Sequence, residues 1–137
     1  MPHTVKTVLL VDDDAITNYF HNRVLTKTDL ASSEIIIAND GQHGIDTLLG
    51  LNKTLKDKKD KVVVFLDINM PVMDGWGFLK TLEENKDKIN FTIHLYVLSS
   101  SINSDDQERA ESNSLVTKYL KKPLSIEVIA SLLQGID

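Results

Sequence analysis

The stretch Val62–Leu66, "VVVFL", is an unbroken run of β-branched, aromatic and leucine side chains that ends against an acid, Asp67. A strand with one wet face alternates apolar and polar residues. A continuous run belongs instead to a strand covered on both faces, which is the situation in a parallel sheet. Val8–Val11 ("VLLV") and Ile35–Ala38 ("IIIA") have the same character. Ile93–Leu98 ("IHLYVL") is nearly as apolar, and Val116–Leu120 ("VTKYL") is a weaker fifth candidate.

Helical spacing fills the intervals. Ile16, Phe20 and Val24 mark one expected apolar face, with Tyr19 beside it. Ile45, Leu48, Leu49 and Leu55 mark a second, and Phe78, Leu79 and Leu82 a third. Ile126, Ile129, Leu132, Leu133 and Ile136 mark the last and clearest. Asp14 and Asp74 stand where they cap the first and third helices. Ser104 and Gln107 have capping-box spacing at the head of "SDDQERAESN", a short helix with little apolar content. Strand and helix alternate five times, which predicts a doubly wound α/β sheet with helices on both faces.

The 137 residues suit one domain, read here as 1–137 with a core of about 6–134. No repeat or linker divides it. Residues 51–61, "LNKTLKDKKDK", carry five lysines and two aspartates. They are expected to lengthen the second helix and its loop as a solvated face, with a basic docking patch as the alternative. A net charge of −5 argues against general affinity for nucleic acid. The chain has no cysteine, so disulfides and thiolate metal sites are excluded. The seven-residue apolar-rich run before Asp12 is too short for a signal peptide or membrane span, which predicts a cytoplasmic protein without membrane contact.

Chemistry in open parallel sheets gathers beyond the carboxyl ends of the strands. Asp12, Asp13 and Asp14 follow the first strand, Asp67 the third, Ser99 the fourth and Lys122 the fifth. Carboxylates crowded into one crevice repel each other unless a cation sits among them. Oxygen-only ligands favour a hard ion, Mg²⁺ or Mn²⁺. Asp67 is then poised to attack phosphorus and become an aspartyl phosphate. The Lys122 ammonium and the Ser99 hydroxyl supply partners for the phosphoryl oxygens the metal leaves free. The four histidines are scattered in no metal-binding or phosphoryl-accepting pattern.

"VLLVDDD", "FLDINMPVMDGWGFL", "VLSSS" and "YLKKPLS" together resemble the receiver domain of two-component response regulators, the CheY-like family, from about Lys6 to Gln134. The resemblance implies a flavodoxin-like strand order of 2-1-3-4-5. It implies metal binding by Asp12, Asp13, Asp67 and the backbone carbonyl of Asn69, with Asp67 as phospho-acceptor. Ser99 and Tyr119 take the positions of the switch hydroxyl and switch aromatic, and Lys122 that of the family lysine. Pro123 takes the position of a proline usually preceded by a cis bond. The departures are a third acid, Asp14, a long gap before Asp67, Ser99 where Thr is commoner, and Ser100 and Ser101 after it.

The implied function is a stand-alone switch that takes a phosphoryl group from a histidine kinase or phosphotransfer protein. It catalyses its own phosphorylation and hydrolysis, and signals to an effector through the surface of the fourth helix, fifth strand and fifth helix. The expected state is a monomer, or a weak dimer formed on phosphorylation. Two rivals remain: a pseudo-receiver that binds partners without phosphorylation, and a haloacid-dehalogenase-type phosphohydrolase using Asp12 and Asp14. Ile16 stands where the latter expects Thr or Val.

Overall fold

The computed structural model describes residues 5–70, 72–100 and 103–136. Strands β1 (Val5–Val11), β2 (Glu34–Ala38), β3 (Lys61–Asp67), β4 (Thr92–Ser99) and β5 (Val116–Lys121) form one sheet. All pairings are parallel and the order is β2-β1-β3-β4-β5, as expected. Each strand contains its predicted apolar run and extends it by one to three residues.

Helices α1 (Ala15–Leu25), α2 (Gly41–Leu51), α3 (Gly75–Asn85), α4 (Ser104–Glu111) and α5 (Ile126–Ile136) connect the strands. Alternate strand residues feed two separate cores, because successive side chains leave a strand on opposite faces. Leu9, Val11, Val64, Leu66 and Val97 meet Ile45 and Leu48 of α2 and Phe78, Leu79 and Leu82 of α3. Val8, Leu10, Val63 and Phe65 meet Leu25 of α1 and Ile129, Leu132, Leu133 and Ile136 of α5. Burying a leucine-sized side chain is worth about 2 kcal/mol, so these two layers dominate the fold's stability.

Three local expectations are corrected. The predicted inner face of α1 is inward only at its end: Ile16 is 81%, Phe20 48% and neighbouring Tyr19 65% exposed, Val24 packs partly buried against the core, and Asn18, His21 and Leu25 are buried. Asn18 and His21 can be buried because each is hydrogen-bonded to backbone outside the helix. The lysine-rich segment does not lengthen α2, which stops at Leu51. It stitches to the turn before β4 instead. Lys58 Nζ donates to the carbonyls of Ile89 and Phe91 at 2.9 and 3.3 Å, and Asn52 Nδ2 to that of Lys88 at 2.7 Å. Lys61 Nζ donates to the Ile136 carbonyl at 2.8 Å, at the end of α5. The cap of α4 is Asn103, not Ser104. Its side-chain oxygen accepts from the amides of Asp105 and Asp106 at 3.0 and 3.1 Å.

The helix α4 buries only Ala110, matching its low apolar content. Among the described residues no helix is long and apolar enough to cross a membrane.

Candidate functional site at the carboxyl edge of the sheet

Because all five strands run parallel, their carboxyl ends share one edge. The residue after β1 is Asp12, whose amide still donates to the Ala38 carbonyl of β2 at 3.0 Å. Asp67 is the last residue of β3, paired in register with Leu98, and Ser99 is the last of β4. Lys122 follows β5, and its amide donates to the Ser99 carbonyl at 2.8 Å. The Lys122–Pro123 bond is cis, as the resemblance implied.

Asp12, Asp67 and Ser99 are buried, while Asp13 is exposed at the rim. Carboxylate oxygens of Asp12, Asp13 and Asp67 all lie within 4.8 Å of one another. Lys122 Nζ bridges two of these acids, 2.7 Å from Asp12 Oδ2 and 3.3 Å from Asp67 Oδ1. The other Asp12 oxygen accepts from the Asp14 amide at 2.9 Å, and Asp67 Oδ1 from the Asn69 amide at 3.4 Å.

One ammonium among three carboxylates leaves the crevice electrically unbalanced. Burial, and then the Asp12 carboxylate, push the Asp67 carboxyl above its ordinary range, only partly opposed by Lys122. Burial disfavours the charged Lys122, but its hydrogen bond to Asp12 and the charges of Asp12 and Asp67 prevail and hold its pKa above the ordinary lysine value. The uncompensated donors are all oxygen, which fits a hard divalent cation held by carboxylates.

The loop after β3 folds back tightly against the end of the strand. The Gly75 amide donates to the Ile68 carbonyl at 2.7 Å. A Cβ at Gly75 would lie 2.7 Å from Ile68 Cα and 2.9 Å from the Asp67 carbonyl oxygen, so no side chain fits. Asp74 caps α3 as expected, accepting from the Gly77 amide at 2.8 Å. Val72, 86% exposed, sits at φ 67°, a left-handed conformation that is costly for a β-branched residue. Pro71 and Ser101 lie outside the described residues, as does His3.

Asp14 turns away from the crevice. Its carboxylate caps α1, accepting from the Ile16 amide at 3.0 Å and the Thr17 hydroxyl at 2.8 Å. The Asp12–Asp14 pair that a dehalogenase-type phosphohydrolase would need is therefore not assembled. Tyr119, buried at 8% exposure, packs with the core layer that holds Val97 and Ala110. Above it, α4 is tied to α3 by the Arg109 guanidinium, 4.1 Å from the centroid of the Trp76 ring.

Sequence reasoning did not give Asn18 or His21 a place at the site. Asn18 Nδ2 donates to the Asp12 carbonyl at 2.9 Å, and His21 Nε2 accepts from the Leu124 amide at 3.2 Å. The spacing of Asn18, His21 and Leu25 is that of one helical stripe, the only signal the sequence offered.

A buried acidic crevice with a single bridging lysine, at the carboxyl edge of a 2-1-3-4-5 parallel sheet, defines the receiver class of small α/β signalling domains. The chain belongs to the response regulator receiver domain family, whose sequence profile matches residues 8–134. It is 30% identical over 132 residues to the response regulator Rcp1 of Synechocystis, spanning 96% of this chain and 86% of that protein. Among solved structures it resembles a two-component response regulator from Cytophaga hutchinsonii, with a TM-score of 0.80 and 28% identity over 96% of each chain. A response regulator receiver protein from Dyadobacter fermentans matches with a TM-score of 0.76 and 27% identity, over 95% of this chain and 96% of that one. Membership implies phosphorylation-dependent two-component signalling.

Proposed function

We propose that Asp67 is the phospho-acceptor of this receiver, and that the protein is a switch set by a histidine kinase or phosphotransfer protein and read by an effector. The observation that carries this reading is the buried Asp67 carboxylate, sharing Lys122 with Asp12 inside a three-acid cluster. A turn residue would have no reason to be buried beside two other acids.

An oxygen of Asp67 attacks the phosphorus of a phosphohistidine. The P–O bond forms as the P–N bond breaks, and the electron pair stays with the imidazole, which takes up a proton. Asp12, Asp13, Asp67 and the Asn69 main-chain carbonyl would hold Mg²⁺ or Mn²⁺, which neutralises charge on the phosphoryl group. Lys122, already between Asp12 and Asp67, turns its ammonium to a phosphoryl oxygen. The Ser99 hydroxyl donates to another. Hydrolysis reverses the state: water adds to phosphorus, the acyl phosphate bond breaks, and the carboxylate returns with inorganic phosphate released.

The exposed apolar side chains Ile16 and Phe20 of α1 line the depression beside Lys122 and favour docking of the donor protein there. The output surface is that of α4, β5 and α5. Phosphate on Asp67 would draw the Ser99 hydroxyl toward it, and Tyr119, which lies beneath this surface, would turn into the vacated space and change it.

Incubation with Mg²⁺ and acetyl phosphate, acid quenching and intact-mass analysis test the reading. One phosphoryl adduct is expected on the wild type and none on Asp67→Asn. No adduct on the wild type, with beryllofluoride also failing to bind, would point to the pseudo-receiver.

A further inference from the structure

The inner face of α1 is polar where a helix packed on a core is usually apolar. Asn18 is 3% and His21 1% exposed, and both bond to backbone that carries site residues. Asn18 holds the carbonyl of Asp12 itself. His21 Nε2 holds the amide of Leu124, two residues beyond Lys122, and Leu124 is buried at 2% exposure. The Lys122 amide is fixed from the other side by the Ser99 carbonyl. The short turn carrying Lys122 is therefore pinned at both ends, by β4 and by α1.

On its outer side the turn borders an open depression of about 440 Å³, lined by Ile16, Phe20, His21, Ser100 and Pro123 as well as Lys122. Packing holds the turn only on its inner side, through Leu124 in the core, and the His21 bond is the directed contact that fixes its backbone there. An acceptor nitrogen must be unprotonated, so the ring is neutral with its proton on Nδ1. Burial, and then the nearby Lys122 charge, keep His21 below the ordinary histidine pKa, with Asp12 opposing.

We propose that His21 is a positioning residue for phosphoryl transfer: by accepting the Leu124 amide it sets where the Lys122 ammonium stands between Asp12 and Asp67. The inference rests on the reading of Asp67 as phospho-acceptor. It assigns the first helix a part in the chemistry that its sequence position does not suggest.

The test compares wild type, His21→Leu and His21→Gln, since Gln Oε1 reaches about as far as the histidine Nε2 and can accept the same amide. Phosphorylation by acetyl phosphate is timed at saturating Mg²⁺, and Mg²⁺ affinity is measured separately by titration. Misplacing a reacting group by about 1 Å costs up to about 100-fold in rate. The expected result is a loss of about 10-fold or more for His21→Leu at saturating Mg²⁺, with Mg²⁺ affinity within about twofold of wild type and most of the rate restored in His21→Gln. Added to Lys122→Ala, His21→Leu should cause almost no further loss, because the histidine acts only through the lysine.

A folded His21→Leu that phosphorylates at the wild-type rate overturns the inference, as does a Gln variant as slow as Leu. Should His21→Leu not fold, His21→Asn, whose acceptor is too short, takes its place against Gln, and equal rates for the two overturn it. A wild type that takes up no phosphoryl group and binds no beryllofluoride overturns the reading beneath it as well. A phosphorylated wild type with an unaffected Leu variant overturns this inference alone.

Discussion

The helices α1 and α5 cover the same face of the sheet by opposite means. The helix α5 buries Ile129, Leu132, Leu133 and Ile136 and shows the expected amphipathic stripe, though Ile126 at its start is 43% exposed. The helix α1 buries Asn18 and His21 with Leu25 and leaves Ile16, Tyr19 and Phe20 in solvent. The one is held by area removed from water, the other largely by directed hydrogen bonds to backbone at the site. A helix that must place Asp12 and Lys122 gains from bonds with fixed geometry, which apolar packing does not provide. Its apolar residues are then available to a partner.

A graded series of truncations would break this contrast if it is wrong. Ile129→Ala on α5 is expected to cost about 3 kcal/mol in urea unfolding, the usual range for a fully buried aliphatic. Asn18→Ala leaves the Asp12 carbonyl without its buried donor and should cost about 1–2 kcal/mol. Phe20→Ala should cost less than about 0.5 kcal/mol, since its ring is half exposed. It should nonetheless slow phosphotransfer from a protein donor while leaving the acetyl phosphate rate unchanged. A cost for Phe20→Ala near that of Ile129→Ala would remove the contrast altogether.

The strands were legible because an unbroken apolar run has few other uses. The site was legible because its residues sit at strand ends, where Asp12, Asp67, Ser99 and Lys122 are brought to one edge by the parallel topology alone. The inner face of α1 was not, because periodicity counts apolar residues. The partner that makes His21 buriable is the Leu124 amide, 103 residues away. The same blindness hid the lysine-rich segment, since the Lys58 carbonyl partners lie 31 and 33 residues further on. At α4, Asn103 and Ser104 are both good caps, and only geometry chooses between them.

The electrostatic side of the site gives a prediction of smaller size. The folded-state pKa of Asp67 is raised, so between its ordinary value near 4 and that raised value the native state binds more protons than the unfolded chain. Stability therefore falls as pH rises through this window, and ionised Asp67 is a cost at neutral pH in the metal-free protein. Other carboxylates titrate there too, so the quantity to measure is the wild-type minus Asp67→Asn difference in unfolding free energy. That difference should favour Asn at neutral pH and shrink on acidification. With Mg²⁺ bound, phosphorylation by acetyl phosphate should slow only at more acid pH, where the attacking carboxylate is protonated and the metal lost.

The most direct measurement is to trap the acyl phosphate. After reaction with Mg²⁺ and acetyl phosphate, borohydride reduction converts a phosphorylated aspartate to homoserine, and peptide mass mapping locates it. The account predicts homoserine at position 67 and at no other acid. Homoserine at 12, 13 or 14, or unmodified Asp67 in protein that carries a phosphoryl adduct, would contradict it.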